Sequence, residues 1–434
     1  MQHSDITSAF SAVLLNLVPV FTAPSAQSFV AMAWGWVLCL GRPTMPRIVR
    51  CAGARATKHV TSYNRLLSQG AWDLDDLWRL LLVRVVLPLL APCGDLLLAA
   101  DDTTTHRFGR AVAFAGWFRD AVRSGTGKDV KHWSHCWVLL CLHVRVPLWP
   151  EHVISLPVLA ALYRKEKDCT PEHPFRTRQG LLLDMLGKVR RWVPDRVLRL
   201  VADGAYPSEE LCRGLQGEVP FVSRIRRDAA LYRLPVQPRR RRRGRPRLKG
   251  ERLPSLEHIA RRARFRHATI LRSGEARPVL LHSFVTLWWS VAKGRPIRVV
   301  IVRDPLGKEH DDFFFSTDPE ARPEDIATDY ASRWPLEVTI RESKQSLGFQ
   351  RVQGWCPKTV ERHAPMALLL LTAVKAAYLT TVRKPDSDAP PPFHAMLLSL
   401  RLADWDARIN ALSLPRREMR QFRGAVAILL ASAA

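Results

Sequence analysis

Apolar positions along this chain gather into short unbroken runs that stop at acids. Leu-Leu-Leu-Ala-Ala over 96–100 stops at Asp101-Asp102-Thr103, and Val-Leu-Arg-Leu-Val-Ala over 197–202 stops at Asp203-Gly204. Runs of that length, apolar without alternation, predict strands buried on both faces, each offering an acid at its C-terminal end. Asp-Gly alone is also an ordinary turn signal. Residues 135–146 are β-branched and apolar and predict another strand, 175–193 a helix, 207–215 a second helix, and 220–225 a strand. Segments 279–290 and 298–303 read as strands, while 76–90 and 364–381 read as apolar helices. Strands interspersed with helices predict a mixed α/β core.

One polar pattern changes the picture. Tyr330, Arg333, Glu337 and Lys344 follow a Tyr-x2-Arg-x3-Glu-x6-Lys spacing. Seven residues are about two helical turns, so Glu337 and Lys344 share a helix face. Pro335 suits a first helical turn, so the helix is expected over 335–347, with Tyr330 and Arg333 on a turn or helix leading into it. An ordinary charged helix face has similar pairs. Asp101-Asp102 and Asp203 upstream argue for more, because three carboxylates from distant segments of a basic chain form a hard-oxygen site for divalent metal against phosphate.

On these motifs the chain resembles the DDE transposases of bacterial insertion sequences, in the branch with a Tyr-Arg-Glu-Lys signature, over Leu96 to about Gly354. The resemblance implies a ribonuclease H-like mixed sheet with flanking helices, a β-rich insertion between the second and third acids, and a helical N-terminal domain. It implies Asp102, with Asp101 as its neighbour, Asp203 and Glu337 as catalytic residues and metal ligands. It further implies DNA-phosphate contacts from Tyr330, Arg333 and Lys344, and Mg²⁺ as cofactor, two ions per site, with Mn²⁺ able to substitute. The expected divisions are 1–92 (helical, DNA-end recognition), 93–225 (first part of the core), 226–305 (β-rich insertion with a basic loop), 306–362 (rest of the core) and 363–434 (helical). The 133 residues between Asp203 and Glu337 exceed a single crossover and motivate the insertion. Trp288 or Trp289 is its candidate for stacking an unpaired base, set against the commoner place of tryptophan in a sheet core.

Composition agrees. Lys and Arg number 66 against 40 Asp and Glu, a formal charge of +26 that suits a polyanionic partner. The densest block, Arg239, Arg240, Arg241, Arg242, Arg243, Arg245 and Arg247, repels itself and predicts an exposed loop that meets phosphate, with an Arg-Gly-Arg-Pro centre like a minor-groove segment. Arg47, Arg50, Arg55, Lys58 and Arg65 are further candidates for DNA contact. The partners expected are therefore double-stranded DNA, as transposon ends and target, and a second copy of the chain to pair those ends.

The apolar run 29–40 is too short to span a bilayer and the N-terminus lacks a positive lead, so a cytoplasmic, nucleoid-associated bacterial protein away from the membrane is expected. His132, His135, Cys136, Cys141 and His143 are a weaker zinc candidate, because alternation along a strand sends Cys136 away from Cys141 and His143. Two other functions compete: a nuclease on the same fold without strand transfer, and a silent DNA-binding descendant of a transposase.

Deleting Arg239 to Arg243 is expected to weaken duplex binding and to flatten the log–log salt dependence by up to roughly 4 units, at about 0.9 per phosphate contact. Fluorescence anisotropy across a NaCl series reads the slope; an unchanged slope removes the run from the DNA surface.

Overall fold

The computed structural model describes residues 4–120, 123–125, 127–235, 247–351, 353–384, 387–412 and 416–432. Arg239, Arg240, Arg241, Arg242, Arg243 and Arg245 lie outside the described residues, and Arg247, just beyond them, is exposed.

Helices fill the first ninety residues: α1 (Ser4–Leu17), α2 (Ala23–Leu38), α3 (Met45–Ala52), α4 (Val60–Ser68), α5 (Leu74–Leu80) and α6 (Leu87–Leu90). The expected helix over 76–90 is continuous but changes pitch, since a π-helical stretch at Leu81–Val86 joins α5 to α6. Strands follow: β1 (Leu96–His106), β2 (Gly116–Arg119), β3 (Lys131–Val146) and β4 (Trp149–Tyr163). Then come α7 (Arg178–Trp192), β5 (Leu198–Ala202), α8 (Glu209–Gly214), β6 (Phe221–Arg224) and β7 (Leu231–Tyr232). The remaining elements are α9 (Leu256–Arg262), β8 (Arg266–Arg272), β9 (Glu275–Trp288), α10 (Trp289–Ala292), β10 (Pro296–Arg303), β11 (Asp312–Ser316), α11 (Pro323–Ala331), α12 (Trp334–Ser346), α13 (Pro357–Thr381), α14 (Phe393–Asn410) and α15 (Arg416–Ser432).

Among the described residues, all eleven strands join one mixed sheet, in the order β2-β3-β1-β5-β6-β11-β10-β9-β7, with β4 on β3 and β8 on β9. β1 is antiparallel to β3 and parallel to β5, and β5 is parallel to β6. The segment expected as a β-rich insertion adds its strands to the same sheet: β9 pairs with β10, β10 with β11, and β11 with β6.

Two differences from the sequence pattern have clear causes. β1 does not stop at its acids; Thr103, Thr104 and Thr105 are β-branched and extend the ladder opposite Trp137, Cys136 and His135, so Asp101 and Asp102 stand in mid-strand. β4 escaped the pattern because Pro150 and Pro157 interrupt it. It pairs with β3 alone, and the ladder shifts register beside Pro157, which is where a strand tolerates proline.

Tryptophan ties the N-terminal helices to the rest. Buried Trp36 of α2 donates its Nε1–H to the Leu347 carbonyl at 2.9 Å, just past α12, and meets the His363 ring edge-on at 4.7 Å. The buried Arg362 guanidinium of α13 donates to the Gly70 carbonyl at 2.9 Å and lies 4.1 Å over Trp72. Among the described residues, α13 is the one helix long and apolar enough to cross a membrane, and it is packed inside the protein as a core element.

Gly35 marks the tightest helix crossing. A Cβ there would stand 2.0 Å from the Ile48 carbonyl oxygen of α3. Alanine is worth about 1 kcal/mol over glycine in a helix interior, but a clash with backbone cannot be relieved by a rotamer. Gly35→Ala is therefore expected to destabilise by roughly 1–3 kcal/mol net, read as a lowered urea midpoint; an unchanged or raised midpoint contradicts the crossing.

Candidate active site at the centre of the sheet

Parallel register sets Ala100 of β1 against Ala202 of β5, so Asp101 and Asp203 leave adjacent strands side by side. Alternation then turns Asp101 and Thr103 toward one face and Asp102 toward the other. On the first face lies α12. Its N-cap residue Arg333 donates from Nη1 to Asp101 at 3.0 Å and from Nη2 to Glu337, one turn on, so a single guanidinium bridges carboxylates 236 residues apart in sequence. Two turns along the same helix, Lys344 donates to the Thr103 hydroxyl at 2.6 Å and to the Thr104 carbonyl at 3.0 Å. The helix is offset by one residue from the expected 335–347, with Pro335 in its first turn. Tyr330 closes α11, its ring stacked 4.4 Å from Phe314, and Arg333 lies 5.9 Å from the Tyr330 ring.

Asp102 has different company. Its Oδ2 accepts from Arg178 at 3.0 Å, from the first turn of α7, and the Cys136 thiol lies 3.8 Å away. The two neighbours are linked through backbone: the Asp102 N–H donates to Asp101 Oδ1 at 2.8 Å. Arg178 follows Thr177, whose hydroxyl caps α7. Nothing in the sequence tied Arg178 to an acid 76 residues upstream, because that contact exists only once β1 and α7 pack.

Burial sets the electrostatics. It lifts the Asp101 carboxyl to about 6, against the opposing pull of Arg333. It also raises Asp102, with Arg178 opposing, and lowers the Lys344 ammonium. Burial works against the Arg333 charge as well, but Asp101, Glu337, Tyr330 and Asp203 outweigh it and raise that group. Clefts open on either side of the acids. One, of ≈590 Å³, is lined by Arg224, Arg272, Lys308, Tyr330 and Arg333 among others; the second, of ≈550 Å³, is lined by Asp102, Thr103, Thr104, Arg119, Arg178 and Lys344, with Asp120.

The donor chemistry fits a hard divalent cation, since Asp101, Asp102, Asp203 and Glu337 offer only carboxylate oxygens. Among the described residues no three acidic, histidine or cysteine side chains converge on one point as they stand. Arg333 spans Asp101 and Glu337, so ligation by both requires the guanidinium to let them go.

Other candidates are dispersed. Trp288 is buried at 6 % exposure with its ring edge-on to Phe315, which corrects its candidacy for stacking: β9 turns it into the core. Trp289 is half-buried, with the Lys249 ammonium 5.6 Å from its ring. Arg47, Arg50 and Arg65 are exposed, whereas Arg55 pairs with Asp404 and Lys58 binds the Ser28 hydroxyl, so these two are spent on internal contacts. His135 accepts from Arg107 at 2.7 Å, His132 meets the Thr104 hydroxyl at 3.0 Å, and Cys141 and His143 are buried in the sheet.

Two family models match the chain, one described as a DDE superfamily endonuclease over residues 16–283 and one as an archaeal putative transposase, ISC1217, over residues 286–381. The first span holds Asp101, Asp102 and Asp203, and the second Tyr330, Arg333, Glu337 and Lys344. No curated protein matches the chain.

Asp101 gives the site a pH signature. Its carboxyl is raised from 3.8 to about 6, so the stability it contributes is complete below the unfolded value and is lost as pH rises through about 6. Asp101→Asn removes that loss. Relative to the natural protein, its metal-free stability is expected to gain on the order of 2 kcal/mol between pH 4 and pH 7; urea unfolding at both pH values tests this, and a pH-independent difference contradicts it.

Proposed function

The chain belongs to the DDE superfamily endonucleases, and on that footing we propose that it is a DNA transposase, cutting at the ends of an insertion sequence and joining them to target DNA in a metal-dependent reaction. The observation that carries this reading is the Arg333 bridge, which draws Glu337 of α12 to Asp101 of β1 while the β1–β5 register sets Asp203 alongside. Sheet order supports a ribonuclease H-like core: β4-β3-β1 antiparallel, followed by β5 and β6 parallel to β1.

In this reading Asp203 and Glu337 are two of the three carboxylates, and the Asp101–Asp102 pair supplies the third. Motif position favours Asp102. The Arg333 bridge favours Asp101, because that carboxylate faces Glu337 while Asp102 faces Arg178. When bound, Mg²⁺ or Mn²⁺ supplies stabilisation of the attacking and leaving oxygens in an in-line displacement at phosphorus. The chain's own groups do the positioning. Arg333 bridges Asp101 and Glu337, offsets part of their charge and lines the cleft in which it could meet a DNA phosphate. Lys344, anchored on Thr103 and partly desolvated, offers its ammonium to the ≈550 Å³ cleft, where a phosphate is the natural acceptor. Tyr330, held flat on Phe314, borders the opposite cleft and limits how a strand enters. Cut-and-paste transfer of a freed 3′ hydroxyl needs no covalent protein intermediate, and pairing two ends calls for two copies of the chain. The substrate class is double-stranded DNA, and the compartment is the bacterial cytoplasm.

The test is an excision and strand-transfer assay in Mg²⁺ on plasmid DNA with the gene's own flanking sequence. Asp203→Ala and Glu337→Ala are expected to abolish release and joining while end binding persists, and only one of Asp101→Ala and Asp102→Ala to do so. Cleavage by the natural protein without joining would make it a nuclease; binding without cleavage would make it a silent descendant.

A further inference from the structure

β2 is a four-residue strand whose outward positions are Trp117 and Arg119, while Gly116 and Phe118 are buried. Its register on β3 sets Trp117 against Trp133 and Arg119 against Lys131. The two indoles meet edge to face at 5.9 Å, yet Trp117 is 59 % exposed. The backbone beneath is fixed: Lys165 donates to the Trp117 carbonyl at 2.9 Å and covers the Phe118 ring, and the Trp133 indole N–H donates to the Gly109 carbonyl at 3.2 Å. A large apolar ring held out in solvent on a fixed strand has a cost in water contact that folding alone does not require. Trp334 and Trp355 are also exposed, but no ring-to-ring contact backs either of them among the described residues.

The charges beside this pair are loosely held. Arg119 and Lys131 both lean on Asp129, at 3.6 and 3.4 Å, with all three side chains more than half exposed. Ion pairs of that kind contribute little and exchange readily. The three sum to one positive charge, so a phosphate that displaces Asp129 meets two cations. Arg119 also lines the ≈550 Å³ cleft with Asp102, Arg178 and Lys344. The acidic centre and the tryptophan pair are therefore linked along one sheet, the aspartates on β1 beside β3 and the tryptophans on β3 and β2. Asp101 opposes Leu139 of β3, and Trp133 lies six residues further along, roughly 20 Å at strand rise, a span of a few nucleotides.

We propose that Trp117, backed by Trp133, is a stacking platform for an unpaired base of the DNA strand that leaves the acidic centre past Arg178, Lys344 and Arg119. The proposal rests on the DNA-cutting function above and adds to it the kind of DNA handled, a duplex with a locally single-stranded segment. Every base has a face to stack, so the platform tolerates sequence.

The full-length protein is tested without metal, by anisotropy, on two labelled probes of its flanking DNA: a blunt duplex and the same duplex with a short 3′ single-stranded tail. Trp117→Ala is expected to lose about five- to tenfold in affinity for the tailed probe, at the low end of a stacking contribution for an exposed ring. It should lose less than about twofold for the blunt probe, and Trp117→Phe should restore most of the difference. Unchanged affinity of Trp117→Ala for the tailed probe overturns the proposal, as does a change of oligomeric state in place of a change in binding, which would make the pair a contact between copies. Two failures are distinguishable. A natural protein that cuts DNA in Mg²⁺ while Trp117→Ala keeps full tailed-probe affinity refutes the platform alone; a natural protein that binds neither probe refutes the DNA-cutting function and the platform together.

Discussion

Everything at the centre of this molecule depends on β1 having neighbours of opposite direction. Its antiparallel partner β3 runs the whole length of the strand, while its parallel partner β5 ends at Ala202, against Ala100. Parallel pairing is what lets a second strand finish level with Asp101 and deliver Asp203 there. A parallel neighbour needs a long crossover, here β2, β3, β4 and α7, so the two acids are a hundred residues apart in sequence. Beyond Ala202 the ladder has no β5 partner, and Asp102, Thr103 and Thr104 of the polar half of β1 line a cleft instead.

Acids gathered on a half-buried strand are costly without compensation, and the compensation comes from two sides. Arg333 serves the face of Asp101 and Glu337, and Arg178 serves the face of Asp102. Each arginine sits at the start of a helix that packs on the sheet, so helix docking and charge balance are one event. Burial still leaves Asp101 with a carboxyl lifted to about 6. Such a group holds its charge weakly and gains by meeting a cation.

Support for this centre reaches far into the chain. Trp36 binds the carbonyl that follows α12, and Lys375 of α13 pairs with Glu342 on the same helix. The helix with Glu337 is thus held by the N-terminal helices and by α13 as well as by the sheet. Strands β8 to β10 extend the same sheet and bring Arg272 to the edge of the cleft that Tyr330 and Arg333 share. Positive charge from segments remote in sequence lines both approaches to the acids.

The sequence by itself determined the local elements and singled out the candidate acids. Apolar runs marked β5, β6, β9 and β10, the segments 175–193 and 207–215 marked α7 and α8, and the Tyr-Arg-Glu-Lys spacing marked α12 to within one residue, because each depends on contacts a few residues apart. Only the tertiary structure decided the rest. Which of Asp101 and Asp102 turns to Glu337 is a matter of strand phase, and a one-residue change of phase reverses it. That β1 runs on through its acids, that Trp288 is a core residue, and that Arg178 and Arg119 border the same cleft all depend on pairings across tens to hundreds of residues. Local periodicity records which face of an element is apolar; only packing settles what that face meets.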